Sequence, residues 1–109
     1  MTRTDDERLS DIIDACGEVA GLVARGRGGF EADRAVQLAL ERLLEIIGEA
    51  SNALSEETRA RFPEVEWRGI TRLRVVLAHH YHRIDPDLVW AMATDEIPEL
   101  ARRLASSGP

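Results

Sequence analysis

Lysine is absent from this chain of 109 residues, so all fourteen of its permanently basic side chains are arginine. Any contact with phosphate must therefore use the planar guanidinium fork or a backbone amide, never an ammonium point charge. Cysteine occurs once, at Cys16, which excludes an internal disulfide. That fits a reducing cytoplasm, with Cys16 as a small buried hydrophobe among apolar neighbours. No apolar run approaches the ~18 residues of a spanning helix, and Met1-Thr-Arg-Thr-Asp-Asp-Glu7 opens the chain polar, so neither a membrane span nor a signal peptide is expected. Alternating β-branched residues with hairpin turns are also missing, which excludes a sheet. The three His stand close together with no Cys or carboxylate at useful spacing, so no metal site is expected.

What is present is unevenly placed. The stretch from Arg68 to Arg83 holds four of the fourteen arginines, all three His and the single Tyr, and no acid. The rest carries ten Arg against twenty Asp and Glu. The formal charge of −6 thus averages an acidic body of −10 and a basic strip of +4. A focused positive strip can meet phosphate, whereas a protein gripping nucleic acid over its whole surface would be basic throughout.

Along the chain, Leu9, Ile12, Ile13, Cys16, Val19, Ala20 and Val23 recur at helical spacing, predicting a helix over 5–24 with one wet face. The Gly26-Arg-Gly-Gly29 run lacks the strand and length of a nucleotide-binding loop and reads as a turn. A second helix spans Glu31 to Leu54, apolar on more than one side. Ser55-Glu-Glu-Thr58 caps a short third helix that stops before Pro63. A fourth covers about Trp67 to Arg83. Asp85-Pro86-Asp87 caps a fifth that runs to about Leu104, bent or broken near Pro98. The prediction is all-α: one domain over 1–109, its packed part about 5–105, forming an antiparallel bundle of about five helices.

At about 100° per residue, Trp67, Ile70, Leu77, Ala78, Tyr81 and Ile84 fall within roughly 80° of Arg74, which places Arg74 mid-stripe. A charge there must be paired, bound to phosphate, or at a wet seam between subunits. A carboxylate such as Glu45 or Glu49 could equally pin it to lock the bundle. Arg68, Arg72, His79, His82 and Arg83 lie on a second, charged face, where they read either as phosphate contacts or as solvated surface. Arg74 and His79 would converge if two copies of the helix met about a two-fold axis. A short chain also buries only about two thirds of its unfolded surface, so a homodimer is expected.

These residues resemble the HepT-type toxins of the HEPN superfamily, small all-helical ribonucleases encoded beside a minimal nucleotidyltransferase antitoxin. The resemblance covers about residues 5–104. Its signature, Arg-x4-His-x-Tyr, is met by Arg74, His79 and Tyr81 in RVVLAHHY. The flanks agree in register: ERLLEIIGEA at 41–50, Trp67 seven residues before Arg74, YHRIDPDLVW at 81–90, and Ile97-Pro98-Glu99-Leu100. Two positions depart from the pattern. Val75 stands where a polar residue, often Asn, is common, and His80 where a small or acidic residue is common.

The resemblance implies a HEPN-like fold and a metal-independent endoribonuclease toxin of a type VII-like pair, with RNA (tRNA or mRNA) as substrate. Arg74 and His79 of both subunits would line one cleft. Tyr81 would accept adenylyl groups that the antitoxin takes from ATP with Mg²⁺; on its composition alone Tyr81 reads as a core aromatic with a wet tip. The RNA backbone would meet Arg68, Arg72, His80, His82 and Arg83. The alternative is a catalytically silent partner of the nucleotidyltransferase, to which Val75 points because it can neither donate nor accept a hydrogen bond. A purely structural bundle, with Arg74 as its internal anchor, is the third reading.

Overall fold

Thr4 starts the first helix, α1 (Asp5–Val23), with a reciprocal cap: its hydroxyl accepts from the Glu7 amide, and the Glu7 carboxylate accepts from the Thr4 amide. Asp5, Asp6 and Glu7 add negative charge at the positive end of the helix dipole. The computed structural model describes residues 3–78 and 85–106. Leu9, Ile12, Ala15, Cys16 and Val19 form the buried face of α1. Burial pushes the Cys16 thiol up to about 11, so it is a neutral core group at ordinary pH.

The glycine run is not a plain turn. Gly26 has φ +88°, a conformation open to glycine, and from it the chain enters α2 (Gly26–Ala32). Tertiary contacts hold this short helix where propensity would not. Phe30 is buried against Trp90, with ring centroids 5.1 Å apart. Arg27 lies 5.6 Å from both ring centroids and pairs with Glu31 and Asp87. Asp33 then caps α3 (Arg34–Ala53) by accepting from the Ala35 amide, which moves the start of the second long helix from Glu31 to Arg34.

Helix α3 is the centre of the bundle. Leu40, Leu44 and Ile47 have no exposure, and the helix packs against both α1 and a later helix. Its apolar excess is thus satisfied on two sides within one chain. Ser55 caps α4 (Glu56–Ala60), its hydroxyl accepting from the Thr58 amide. Next come α5 (Trp67–Ala78) and α6 (Pro86–Ala91), the latter capped by Asp85 and opened by Pro86. A π-helical turn, Met92–Glu96, leads into α7 (Ile97–Ser106). Proline at 98 would press on the carbonyl four residues back in a regular helix. The widened turn, closed by Ile97 N–H to the Met92 carbonyl, carries the chain past that point without a break. Among the described residues there is no strand, and no helix is long and apolar enough to cross a membrane.

One carboxylate ties the start of α1 to the start of α4. Asp5 accepts from the Thr58 hydroxyl (2.6 Å), from the hydroxyl (2.7 Å) and amide (3.2 Å) of Ser55, and from Arg8 (3.1 Å). The Thr58 and Ser55 hydroxyls hold its carboxyl well below the usual carboxylate range. A depressed folded-state pKa contributes stability above the unfolded value of about 3.9, and that contribution is lost as pH falls through the folded value. Asp5→Asn is therefore expected to lower the urea midpoint at neutral pH, with the gap to wild type closing at strongly acidic pH. A gap that stays the same across that range would show that the ionised carboxylate is not the source.

Candidate functional site

The buried stripe of α5 runs through Ile70, Leu73 and Leu77, each 3–5% exposed. This i, i+3, i+7 set is centred away from Arg74. Leu73 precedes Arg74 and lies about 100° from it on the helix, so it turns the arginine out of the stripe. The side chain of Arg74 is exposed. The expectation of a guanidinium in the middle of an apolar face is thus corrected, and with it the need for a polar seam to receive a buried charge. The internal-anchor reading fails as well: among the described residues Glu45 pairs with Arg42, and no carboxylate is paired with Arg74.

The backbone of Arg74 is nonetheless held tightly. A Cβ placed on Gly48 of α3 would lie 2.7 Å from the Arg74 amide nitrogen, 3.3 Å from its Cα and 3.2 Å from the Leu73 Cβ. Glycine at 48 therefore allows α5 to lie directly on α3. Ser51, one turn further along α3, is fully buried too. The sequence signal for this close approach is a small residue in the middle of the apolar face of the second helix, in the IGEA segment.

Arg68 and Arg72 share an exposed face of α5 with Val75. Val75 is 42% exposed beside Arg74, so the residue that departs from the family pattern stands at the surface next to the candidate clamp. Charge pairing then separates two groups of arginines. Arg59 and Arg61, at the end of α4, and Arg68, Arg72 and Arg74, on α5, have no carboxylate partner among the described residues. Elsewhere among the described residues every arginine except Arg25 has a carboxylate within 3.9 Å. An acidic protein that pairs all but one of its other described arginines leaves a group of five cations available along one segment. Sequence reasoning singles out Arg68, Arg72 and Arg74, but not Arg59 or Arg61.

Next to α5 lies a cavity of about 370 Å³ between that helix, the π-helical turn and α7. Arg72 lines it, but so do Glu64, Glu66, Glu96 and Glu99. Its other arginine, Arg103, is paired with Glu99 and Glu64. The excess of carboxylates makes this cavity unsuited to phosphate. His79, His80, Tyr81, His82 and Arg83 lie outside the described residues, immediately after α5.

Fold and charge together define an all-helical domain that presents unneutralised arginines along one helix and the segment before it. The chain belongs to the ribonuclease HepT-like family, whose model matches residues 12–106. A Thermococcus cleftensis protein named "Probable ribonuclease HepT" is 38% identical over 101 residues, 92% of each chain. Two Methanocaldococcus jannaschii proteins that bear an RNase name are each 35% identical. One aligns over 92 residues, covering 84% of this chain and 71% of its own. The other aligns over 97 residues, covering 88% and 89%. No solved structure gives a significant match.

Proposed function

We propose that this chain is a metal-independent endoribonuclease acting through Arg74 and His79. The observation that carries the reading is the Arg74–His79–Tyr81 spacing in a chain whose residues 12–106 match the family, with Arg74 exposed and without a carboxylate partner among the described residues on α5. RNA supplies its own nucleophile, the 2′-hydroxyl. The enzyme must take that proton, steady the charge growing on the phosphorus oxygens and protonate the departing 5′-oxygen. Histidine has the pKa for both proton transfers, and an unpaired guanidinium can clamp two oxygens at once. Bond formation from 2′-oxygen to phosphorus and loss of the 5′-oxygen leave a 2′,3′-cyclic phosphate and a 5′-hydroxyl.

The active site is composed across a homodimer, so that Arg74 and His79 of two subunits face one cleft. Chain size and the exposed Ile13, Leu38, Val75 and Leu88 support this pairing; the interior of α3 does not require it. A cognate nucleotidyltransferase silences the enzyme by moving AMP from ATP, with Mg²⁺, to the Tyr81 hydroxyl. The added phosphate would pair with the free arginines and its bulk would fill the cleft. The setting is cytoplasmic and the substrate a tRNA or mRNA. Purified chain with structured RNA and excess chelator is expected to release cyclic-phosphate fragments. Treatment with the nucleotidyltransferase, Mg²⁺ and ATP should stop that release while adding AMP to Tyr81 in peptide mapping. Failure to cleave any RNA sinks the enzyme reading, and labelling of a Tyr81→Phe variant sinks the switch alone.

The exposure of Val75 favours one competing reading, in which the chain is a silent partner of the transferase. Growth arrest on expressing the natural chain alone would exclude it. Arrest only after Val75→Asn would favour it.

A further inference from the structure

Helices α4 and α5 enclose a surface groove of about 520 Å³, lined by Glu56, Arg59, Ala60, Trp67, Arg68 and Thr71. Its two guanidinium groups come from different helices, and both belong to the cluster without carboxylate partners among the described residues. The same groove is lined by a half-buried tryptophan, Trp67. The Trp67 indole N–H donates to the Arg59 carbonyl at 3.0 Å, and its ring meets Phe62 edge-on, with centroids 6.3 Å apart. Both contacts fix the ring, so it is an ordered wall of the groove and not a mobile surface side chain. A tryptophan ring and two guanidinium groups without carboxylate partners among the described residues, lining one groove, supply the two elements of single-strand binding, a stacking surface for a base and forks for phosphate. Glu56 at one wall is the feature opposing an anion, and two cations outweigh it.

We infer that this groove is a binding subsite for single-stranded RNA, with one base stacked on Trp67 and the flanking phosphates held by Arg59 and Arg68. At about 100° per residue Arg68 and Arg72 lie roughly 120° and 160° around α5 from Arg74, so the subsite occupies a different face of that helix and runs from Arg68 onto α4. RNA reaching the reacting groups would then be gripped several nucleotides away from the bond that breaks. The inference rests on the ribonuclease reading for its biological sense, but binding can be measured without cleavage.

An unstructured 2′-O-methyl RNA of about 16 nucleotides, the upper end of common site sizes, has no free 2′-hydroxyl and serves as the probe. The Arg59→Gln, Arg68→Gln double variant is expected to raise its Kd by at least about tenfold. It should also reduce the slope of log Kd against log salt by about 1.4, or about 0.7 for each phosphate of a single strand that the protein no longer neutralises. Arg3→Gln with Arg102→Gln removes the same charge from arginines already paired with carboxylates, and should change Kd less than about twofold, because surface ion pairs contribute little. Equal losses of affinity in the two double variants, or no binding by wild type, would overturn the subsite. A second readout does not rely on substitution in the groove. Trp90→Phe leaves Trp67 as the only tryptophan, and its emission should be quenched by the RNA and not by polyphosphate. No quenching overturns the stacking arrangement. Specific binding without any cleavage of natural RNA would leave the subsite standing and remove the ribonuclease reading instead.

Discussion

Conversion of His79 to alanine is expected to lower RNA cleavage by about 10²–10⁴-fold, the range that a positioned acid or base supplies. Arg74→Ala should cost about 10²–10³-fold, as removal of one donor to a developing oxyanion does. Arg74→Lys should recover only a small part of that activity, because the ammonium keeps the charge but not the two-pronged fork. The structure adds a condition to these numbers. Arg74 is exposed and has no carboxylate partner among the described residues, so its removal orphans no buried charge and folding stability should stay within about 0.5 kcal/mol. Loss of activity with an unchanged melting curve is the expected pair of results. Retained cleavage in either alanine variant would take that residue out of the mechanism.

Gly48→Ala is expected to damage both stability and catalysis, although alanine is the better helix former by about 1 kcal/mol. The new Cβ would arrive 2.7 Å from the Arg74 amide nitrogen. The atom in the way is backbone, so no side-chain rotation relieves the clash and α5 must move off α3. Overpacking of this kind costs about 1–3 kcal/mol, which exceeds or cancels the propensity gain. Displacement of the helix carrying Arg74 should reduce cleavage at least about tenfold under conditions where the variant remains folded, since misplacements of about 1 Å cost about 10²-fold. Gly48→Val, with two more carbons, should be less stable still. Urea denaturation and cleavage measured on the same preparations check this. A Gly48→Ala protein more stable than wild type and fully active would show that the close approach has no role in setting the site.

Two helix starts are legible from local chemistry: Ser55 before two acids, and Asp85 before Pro86, cap as their residue types require, whereas the Asp33 cap of α3 is passed over by a reading that begins at Glu31. The α2 helix is not legible, because its stability comes from Phe30 on Trp90 and Arg27 on Asp87, partners some sixty residues away that no local window contains. The place of Arg74 is misread from the sequence for a simpler reason. A stripe drawn through Trp67, Ile70 and Leu77 but without Leu73 rotates towards the arginine, and the buried Leu73 rotates it back. Gly48 looks like a small entropic penalty in a helix until the neighbouring backbone is placed against it. Nothing in the local sequence singles out Arg59 or Arg61; only the fold brings Arg59 into one groove with Arg68. The proposed signature of Arg74, His79 and Tyr81 is read from spacing alone, and His79 and Tyr81 lie outside the described residues.

The most direct test of the central claim is cleavage, in excess chelator, of a defined RNA carrying a single 2′-deoxy substitution at the nucleotide 5′ to the scissile phosphate. The account predicts that the unmodified RNA yields a 2′,3′-cyclic phosphate and a 5′-hydroxyl, and that the single deoxy substitution blocks the cut at that bond. Cutting that persists through the deoxy nucleotide, or that appears only when a divalent metal is restored, would contradict it.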